Sequence, residues 1–317
     1  MTDKQINRWL RRRFSAVGWL LVLYYGLMTL TASLTQVTDI ARQLLEAFPG
    51  IPEESAIWSA VNGNAWGYIA AMLVGFAVLD AWKGSHFRRQ EIMAREAPMR
   101  FRTFLCMTVF CMGAQMANTL WITCLELVMN AFEKSVMPIL ESVAGDSDTF
   151  SMFLYASILA PIWEEVLFRG YVLRTLRPFG KRFSVFASAV LFGLFHGNLL
   201  QTPYALLMGL VLGYVTVEYS IGWAVLLHMF NNLVLADLLT RISANWSDMA
   251  YGMLNTILFG GSALISVIIL LKHREAIRNY RREDWMDSRC LKCFFTCSGV
   301  LALAILMGLS MVLILLA

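Results

Sequence analysis

Apolar stretches about as long as a bilayer crossing follow one another along almost the whole chain. A transmembrane helix needs about 20 consecutive apolar residues. Windows of this kind predict membrane spans near residues 15–37, 64–82, 102–128, 149–172, 183–199, 203–219, 222–240, 252–271 and 294–316. The fifth and sixth windows are short and are separated by Asn198, Gln201 and Pro203, so they predict either a tight hairpin or one partly re-entrant element. The pattern therefore predicts an all-α, polytopic transmembrane bundle of about eight or nine helices.

Composition excludes an ordinary soluble protein. Hydrophobic residues make up 58% of the chain, charged residues make up only 15%, and the mean hydropathy is +0.60. These values lie outside the range of soluble globular domains. We expect one polytopic membrane domain over residues 1–317 and no soluble domain. The first apolar stretch is too long for a signal peptide and lacks a small-residue cleavage site, so it is expected to remain as a membrane anchor.

The distribution of charge predicts the orientation of the chain in the cell membrane. Lysine and arginine collect on the cytoplasmic side of a membrane, and nine spans place every strongly basic segment on that side. These basic segments are residues 8–13, 83–102, 174–182 and 272–292. The acidic stretches 39–54 and 133–148 then lie outside. The N-terminus is predicted to be cytoplasmic, and the net charge of +4 reflects topology, with membrane lipids as partners and no nucleic acid.

Two segments between the spans have the pattern of amphipathic helices. Residues 38–63 carry apolar side chains at Ile40, Leu44, Leu45 and Phe48, which predicts a short helix in the membrane interface. The basic segment 272–292 predicts a second such helix. We interpret both segments as scaffolding.

The six cysteines form two groups. They are Cys106, Cys111 and Cys124 in the third span, and Cys290, Cys293 and Cys297 at the start of the last. The second group lacks a fourth ligand at usable spacing for a structural zinc site. We therefore interpret the cysteines as free thiols in a reducing compartment.

Ionisable side chains within the apolar spans are the main candidates for function, because a charge at the bilayer centre costs about 2.5–3.5 kcal/mol and is usually turned toward an internal cavity. The fourth span contains Glu164, Glu165 and Arg169. Glu165 and Arg169 share a helix face at i and i+4, so a charge-assisted pair would leave Glu164 free to face a cavity as a proton acceptor. The alternative is that both acids serve only in helix packing.

Two later spans contribute a histidine each. His196 follows Phe192 by one turn, and His228 lies one turn before Asn232. Two donors one turn apart suit an oxyanion, although hydrogen bonds between helices are an alternative explanation. At about 1.5 Å per residue, Glu164 and His196 lie roughly 20 Å from the cytoplasmic ends of their helices. We therefore expect a polar cavity inside the membrane that water reaches from the cytoplasmic face.

The polar residues resemble the motifs of one protease family. They read EExxxR at Glu164, Glu165 and Arg169, FxxxH at Phe192 and His196, and HxxxN at His228 and Asn232, in that order. The chain resembles the CPBP family of intramembrane proteases, which includes the type II CAAX prenyl endopeptidases and the bacteriocin-processing proteins formerly called ABI. The resemblance covers about residues 149–240, which is the catalytic core that we expect.

The resemblance implies a role for each motif residue. Glu164 and His196 would position and deprotonate a water molecule that attacks a peptide carbonyl. His228 and Asn232 would stabilise the tetrahedral oxyanion, and Glu165, Arg169 and Phe192 would hold the site in shape. The expected function is an endopeptidase acting on a membrane-associated peptide or protein substrate cleaved close to the membrane.

Metal dependence is open at this point. One glutamate and two histidines, Glu164, His196 and His228, are the donor types of a catalytic zinc site with water in the fourth position, and the family is often labelled as metalloproteases. The soluble-protease signature HExxH is absent. We favour no cofactor, with zinc as the alternative.

Two other function classes remain open from the sequence. A non-proteolytic binding protein, such as a bacteriocin-immunity factor, would use the polar cluster to recognise a partner. A transporter or proton relay would also place ionisable residues in the membrane, although the chain has no apparent inverted repeat. For a protease, a prenylated CAAX protein and a pheromone or bacteriocin precursor are both possible substrates, and we favour the precursor slightly.

Overall fold

The computed structural model describes residues 2–53, 57, 64–144, 149–283 and 286–316, and in this part of the chain it is a bundle of helices without strands. In chain order the helices are α1 (Asp3–Ala47), α2 (Trp66–Phe87), α3 (Phe101–Asn130), α4 (Met137–Ala144), α5 (Phe150–Phe179), α6 (Lys181–Phe195), α7 (Thr202–Glu218), α8 (Ile221–Ser243), α9 (Met249–Lys272), α10 (Arg274–Glu283), α11 (Ser288–Phe295) and α12 (Ser298–Leu316). The predicted all-α polytopic bundle is confirmed.

Seven of the described helices are long and apolar enough to cross a membrane: α1, α2, α3, α5, α8, α9 and α12. Helices α6 and α7, with 15 and 17 residues, are shorter than a bilayer core about 30 Å thick requires. They form a tight hairpin, in which Thr202 donates a hydrogen bond to the carbonyl oxygen of Gly193 at 3.0 Å. The described part of the chain therefore has seven to nine spans, depending on whether α6 and α7 are counted.

Helix α1 is longer than the hydropathy pattern predicts. It begins at a capping box, in which Thr2 and Gln5 satisfy each other's backbone N–H groups. It continues through residues 38–47, so the separate interfacial helix predicted for residues 38–63 is wrong. The first residue that cannot continue the helix is Pro49. Residues 54–56 and 58–63 of that predicted segment lie outside the described part of the chain.

The predicted amphipathic helix in the basic segment 272–292 is confirmed, and it is divided into α10 and α11. The acidic stretch 133–148 contains α4; its residues 145–148 are outside the described part of the chain. These two regions lie at opposite ends of the bundle.

We call one end of the bundle the basic end, because the predicted cytoplasmic segments contact each other there. Its ion pairs join Arg174 to Glu96 at 3.0 Å, Lys181 to Glu218 at 3.1 Å and Arg289 to Asp3 at 3.0 Å. We call the opposite end the acidic end. There the last turns of α1 contact the start of α2, and the last turns of α3 contact the start of α4. The contacts there are Asn64 to Asp39 at 2.7 Å and the backbone N–H of Val136 to Glu126 at 2.8 Å.

Helix α5 is irregular on both sides of its glutamates. Segments Leu154–Leu159 and Glu165–Leu173 have the wider π-helical turn, a feature that is frequent at functional sites. Pro161 lacks the N–H group that would continue the α-helical hydrogen bonds, and it lies two residues after the end of the first π segment. Glu164 is the last residue of the α-helical turn between the two segments.

Helices α1, α5, α6, α11 and α12 enclose the largest apolar core, which includes Phe14, Phe168, Phe183 and Phe294. A hydrogen bond from Ser188 to the carbonyl oxygen of Phe168 at 2.8 Å joins α6 to α5. The core fixes α1 and α6 against α5, the helix that carries both glutamates.

Candidate active site

The histidine of α8 lies between the two glutamates of α5. His228 Nδ1 is 3.0 Å from Glu165 Oε1, and His228 Nε2 is 3.8 Å from Glu164 Oε2. Because a carboxylate oxygen accepts, Nδ1 carries the proton and donates to Glu165. The first and third motifs therefore meet, although 63 residues separate Glu165 from His228.

Glu165 and Arg169 form a fully buried ion pair, as their spacing predicts. Their side chains are 0% exposed, and Arg169 Nη1 lies 3.1 Å from Glu165 Oε1. The angle is not that of a hydrogen bond, and the guanidinium nitrogens have no hydrogen-bond partner among the described residues. The guanidinium instead lies 4.2 Å from the centre of the Phe192 ring, at the distance of a cation–π contact.

Phe192 is at the centre of the three motifs. Its ring packs edge to face against His196, with centroids 4.9 Å apart, and against His228, with centroids 6.0 Å apart. The same ring contacts Arg169. One aromatic side chain of α6 therefore sets the positions of both imidazoles and of the buried arginine.

His196 directs a nitrogen without a proton away from its helix. Its Nδ1 lies 2.9 Å from the carbonyl oxygen of Phe192, and a carbonyl can only accept, so Nδ1 carries the hydrogen. In the neutral ring Nε2 then has a free lone pair. Helix α6 ends here because Gly197, at φ +57°, adopts the left-handed conformation that ends a helix.

Glu164 and His196 line the same cavity. Its volume is about 380 Å³, within the range of ligand pockets of about 300–1,000 Å³, and Glu164 keeps 31% of its side chain exposed. Phe168 and Phe192, both 1% exposed, form its floor. The cavity extends from these residues along α1 toward the acidic end and away from the basic end, which the sequence predicts to be cytoplasmic and from which we expected water to enter.

The structure does not bring Asn232 to the cavity wall. Its Nδ2 donates to the carbonyl oxygen of Ala156 at 3.1 Å, and its Oδ1 accepts from Asn231 at 3.0 Å. Asn231 in turn accepts a hydrogen bond of 2.5 Å from Tyr204. This chain of hydrogen bonds joins α5, α7 and α8, which is the alternative explanation that the sequence left open for Asn232.

Sequence reasoning missed Tyr24 of α1. Its side chain is 1% exposed, lines the cavity and accepts a hydrogen bond from Trp163 Nε1, next to Glu164 in the chain. Because the oxygen accepts, the hydroxyl hydrogen of Tyr24 is free to donate. The only signal in the sequence was a tyrosine within an apolar span, which by itself indicates no function.

The residues named as alternative zinc ligands, Glu164, His196 and His228, are not grouped around one point in the described part of the chain. No group of three or more histidine, cysteine or acidic side chains in the described part of the chain is arranged to hold a metal ion. His228 Nδ1 donates to Glu165, which leaves Nε2 as the nitrogen that faces Glu164. Cys290, Cys293 and Cys297 are buried free thiols.

Residues 146–234 match the family model described as type II CAAX prenyl endopeptidase Rce1-like. The match covers 89 of the 317 residues, and this segment is similar to the Rce1-like family. No curated protein and no solved structure matches the chain. All residues of the three motifs lie within the Rce1-like segment, whereas α1, which forms a long wall of the cavity, lies outside it. The similarity of this segment indicates a CAAX-type protease at the level of the family, and the long apolar helices indicate a multi-pass membrane protein.

Proposed function

We propose that the protein is an intramembrane endopeptidase that hydrolyses a peptide bond of a membrane-associated peptide or protein. One observation carries the proposal. A partly exposed carboxylate, Glu164, and an imidazole with a free Nε2, His196, line one cavity within a helical membrane bundle. A carboxylate and an imidazole placed in this way are suitable acceptors for a proton of water.

In the proposed reaction, Glu164 accepts a proton from a water molecule that His196 Nε2 holds in place. The water oxygen attacks the carbonyl carbon of the substrate and forms a C–O bond, and the carbonyl oxygen takes the negative charge of the tetrahedral intermediate. The C–N bond then breaks, and the proton on Glu164 passes to the leaving nitrogen. The products are a carboxylic acid and an amine, so the reaction consumes one water molecule; the acid then gives its proton to the amine, which leaves a carboxylate and an ammonium group.

The other motif residues position Glu164. Arg169 balances the charge of Glu165 in a site without solvent, and Glu165 accepts the Nδ1 hydrogen of His228. His228 Nε2 is thereby directed toward Glu164. We assign Asn232 to the joining of α5 and α8, because both polar groups of its amide are hydrogen bonded to the protein. The resemblance had implied an oxyanion role for His228 and Asn232.

Glu164→Gln tests the proposal, because it keeps the shape of the side chain and removes the proton acceptor. Membrane peptides of cells with the native chain are compared by mass spectrometry with those of cells with Glu164→Gln. We expect a precursor peptide to accumulate in the variant and its fragments to disappear, with unchanged protein levels. Glu126→Gln, at the acidic end of α3, is the control and should leave the peptides unchanged.

A Glu164→Gln chain that still produces the fragments would falsify the assigned role of Glu164. If no precursor accumulates but the native chain and Glu164→Gln protect cells equally from a bacteriocin, the binding or immunity function is supported in place of proteolysis.

A further inference from the structure

The cavity follows one face of α1 away from the basic end. The residues of α1 that line it are Tyr24, Tyr25, Met28, Thr29, Ala32, Ser33 and Gln36. At about 1.5 Å per residue, Tyr24 lies about 16 Å along α1 from Arg13, and Gln36 lies about 35 Å from it. Since the hydrocarbon core is about 30 Å thick, the cavity extends from the middle of the membrane to the boundary on the acidic side.

The other walls of the cavity point in the same direction. Helix α2 contributes Tyr68 and Met72 from its first turns, which are at its acidic end, and α5 contributes Tyr155 from its own acidic end. On the basic side, Phe168 and Phe192 pack edge to face with centroids 5.1 Å apart. These two rings separate the cavity from the basic end of the bundle.

The far half of the cavity has groups that suit a peptide backbone. Each residue of an extended peptide has an N–H and a C=O group that need hydrogen-bond partners within a membrane. The hydroxyl of Ser33 and the amide of Gln36 line the cavity and make no hydrogen bond among the described residues. Across from them Tyr68 and Tyr155 stack, with centroids 5.2 Å apart, which gives an apolar surface for side chains.

We propose that the peptide substrate reaches Glu164 from the acidic end of the bundle, as an extended segment that lies along the Tyr24–Gln36 face of α1. The nature of this substrate rests on the proposed protease function, whereas the route does not. If the basic end is cytoplasmic, the cleaved segment is presented from the non-cytoplasmic half of the membrane. The class of substrate is then a peptide or protein segment that is exposed on that side.

Labelling of single introduced cysteines tests the route without any substrate. Ser33→Cys places a thiol in the cavity, and Leu34→Cys places one beside it, on an exposed residue that does not line the cavity. Ser288→Cys marks the basic end. Each full-length variant is reconstituted in lipid vesicles and treated from outside with a sulfonated maleimide that does not cross membranes. Mass spectrometry of the peptide that carries the introduced residue separates its labelling from that of the native cysteines.

We expect Ser33→Cys to react at least about tenfold faster than Leu34→Cys. Ser33→Cys should react only in vesicles in which the basic end of the protein faces the lumen, so that Ser288→Cys is protected from the reagent. Equal rates at residues 33 and 34, or labelling of Ser33→Cys from the same side as Ser288→Cys, would overturn the route. The same measurements in the Glu164→Gln chain should give the same rates, since the route needs no turnover. Failure of the route is thereby separate from failure of the protease function.

Discussion

At the scale of single residues, the feature with the largest cost of burying charge is the contact of Glu165, Arg169, His228 and Phe192. Arg169 is fully buried, and it is held by one carboxylate and one aromatic face. A charge in this position is costly unless its partner is present. The ion pair therefore holds the residue next to Glu164 in a single arrangement.

Arg169→Met removes the positive charge but keeps a side chain of similar length. We expect it to lower the free energy of unfolding by about 3–5 kcal/mol, because Glu165 is left buried without its partner. Unfolding of the purified chain in mixed micelles with increasing dodecyl sulfate measures this change. Arg42→Ala, which breaks the exposed pair of Arg42 and Glu46 on α1, should leave the unfolding curve unchanged. Equal stability of Arg169→Met and the native chain would contradict the interpretation.

The same site predicts the response to chelators. In the proposed reaction Glu164 accepts a proton of water and His196 holds the water in place, so the reaction needs no metal ion. Prolonged treatment of the purified protein with a chelator should leave cleavage of the accumulated precursor within about twofold of its original rate. Complete loss of cleavage that added zinc restores would reverse this proposal.

At the scale of helices, the position of α1 depends on a close crossing with α12. Gly18 and Gly299 allow the two backbones to touch, since a Cβ atom added at Gly18 would overlap the backbone of Gly299 and Val300. Ser15 also accepts a hydrogen bond of 2.9 Å from the N–H of Gly299. Small residues at such crossings are typical of packed membrane helices. This crossing holds the helix that forms the long wall of the cavity.

Gly18→Ala is therefore expected to force α1 away from α12 and to cost about 1–3 kcal/mol of stability, as overpacking does. Precursor cleavage should fall together with stability, because α1 carries the cavity wall. Gly26→Ala on the same helix is the matched control, since an added Cβ atom there meets nothing within 4 Å. Alanine is also the better helix former, so Gly26→Ala should be at least as stable as the native chain. Thermal unfolding in detergent compares the three proteins.

At the scale of the whole molecule, the basic segments contact each other at one end of the bundle, through pairs such as Arg174 with Glu96 and Lys181 with Glu218. The positive-inside rule then predicts that this end is cytoplasmic. The acidic end, toward which the cavity extends, would lie on the other side. The orientation in the membrane thus decides which compartment supplies the substrate.

Reporter fusions check this orientation. Alkaline phosphatase is active only outside the cytoplasm, so fusions after Arg89 and after Arg182 are expected to be inactive. A fusion after Lys134, at the acidic end, is expected to be active. Western blots provide the control by showing that all three fusions are made in similar amounts. The reverse pattern of activities would mean that the basic end faces outward.

The sequence by itself determined the membrane fold, the approximate spans and the residues of the three motifs. The bilayer imposes a fixed length of apolar chain. An ionisable residue such as Glu164 within that length is costly unless it faces an internal cavity or a partner. The i and i+4 spacing likewise predicted the pairing of Glu165 with Arg169, which the structure contains. These features depend on local composition and spacing, which the sequence states directly.

Only the tertiary structure decided which way the cavity extends, that Tyr24 of α1 lines it, and that the amide of Asn232 joins helices. It also decided that α1 continues to Ala47. Each depends on how a helix is rotated and how closely it packs against partners far away in the chain, as Tyr24 does with Trp163, which lies 139 residues later. Hydropathy is nearly uniform around helices that face lipid on one side and apolar side chains on the other. The sequence therefore carries little information about these rotations, and the packing of small and aromatic side chains sets them.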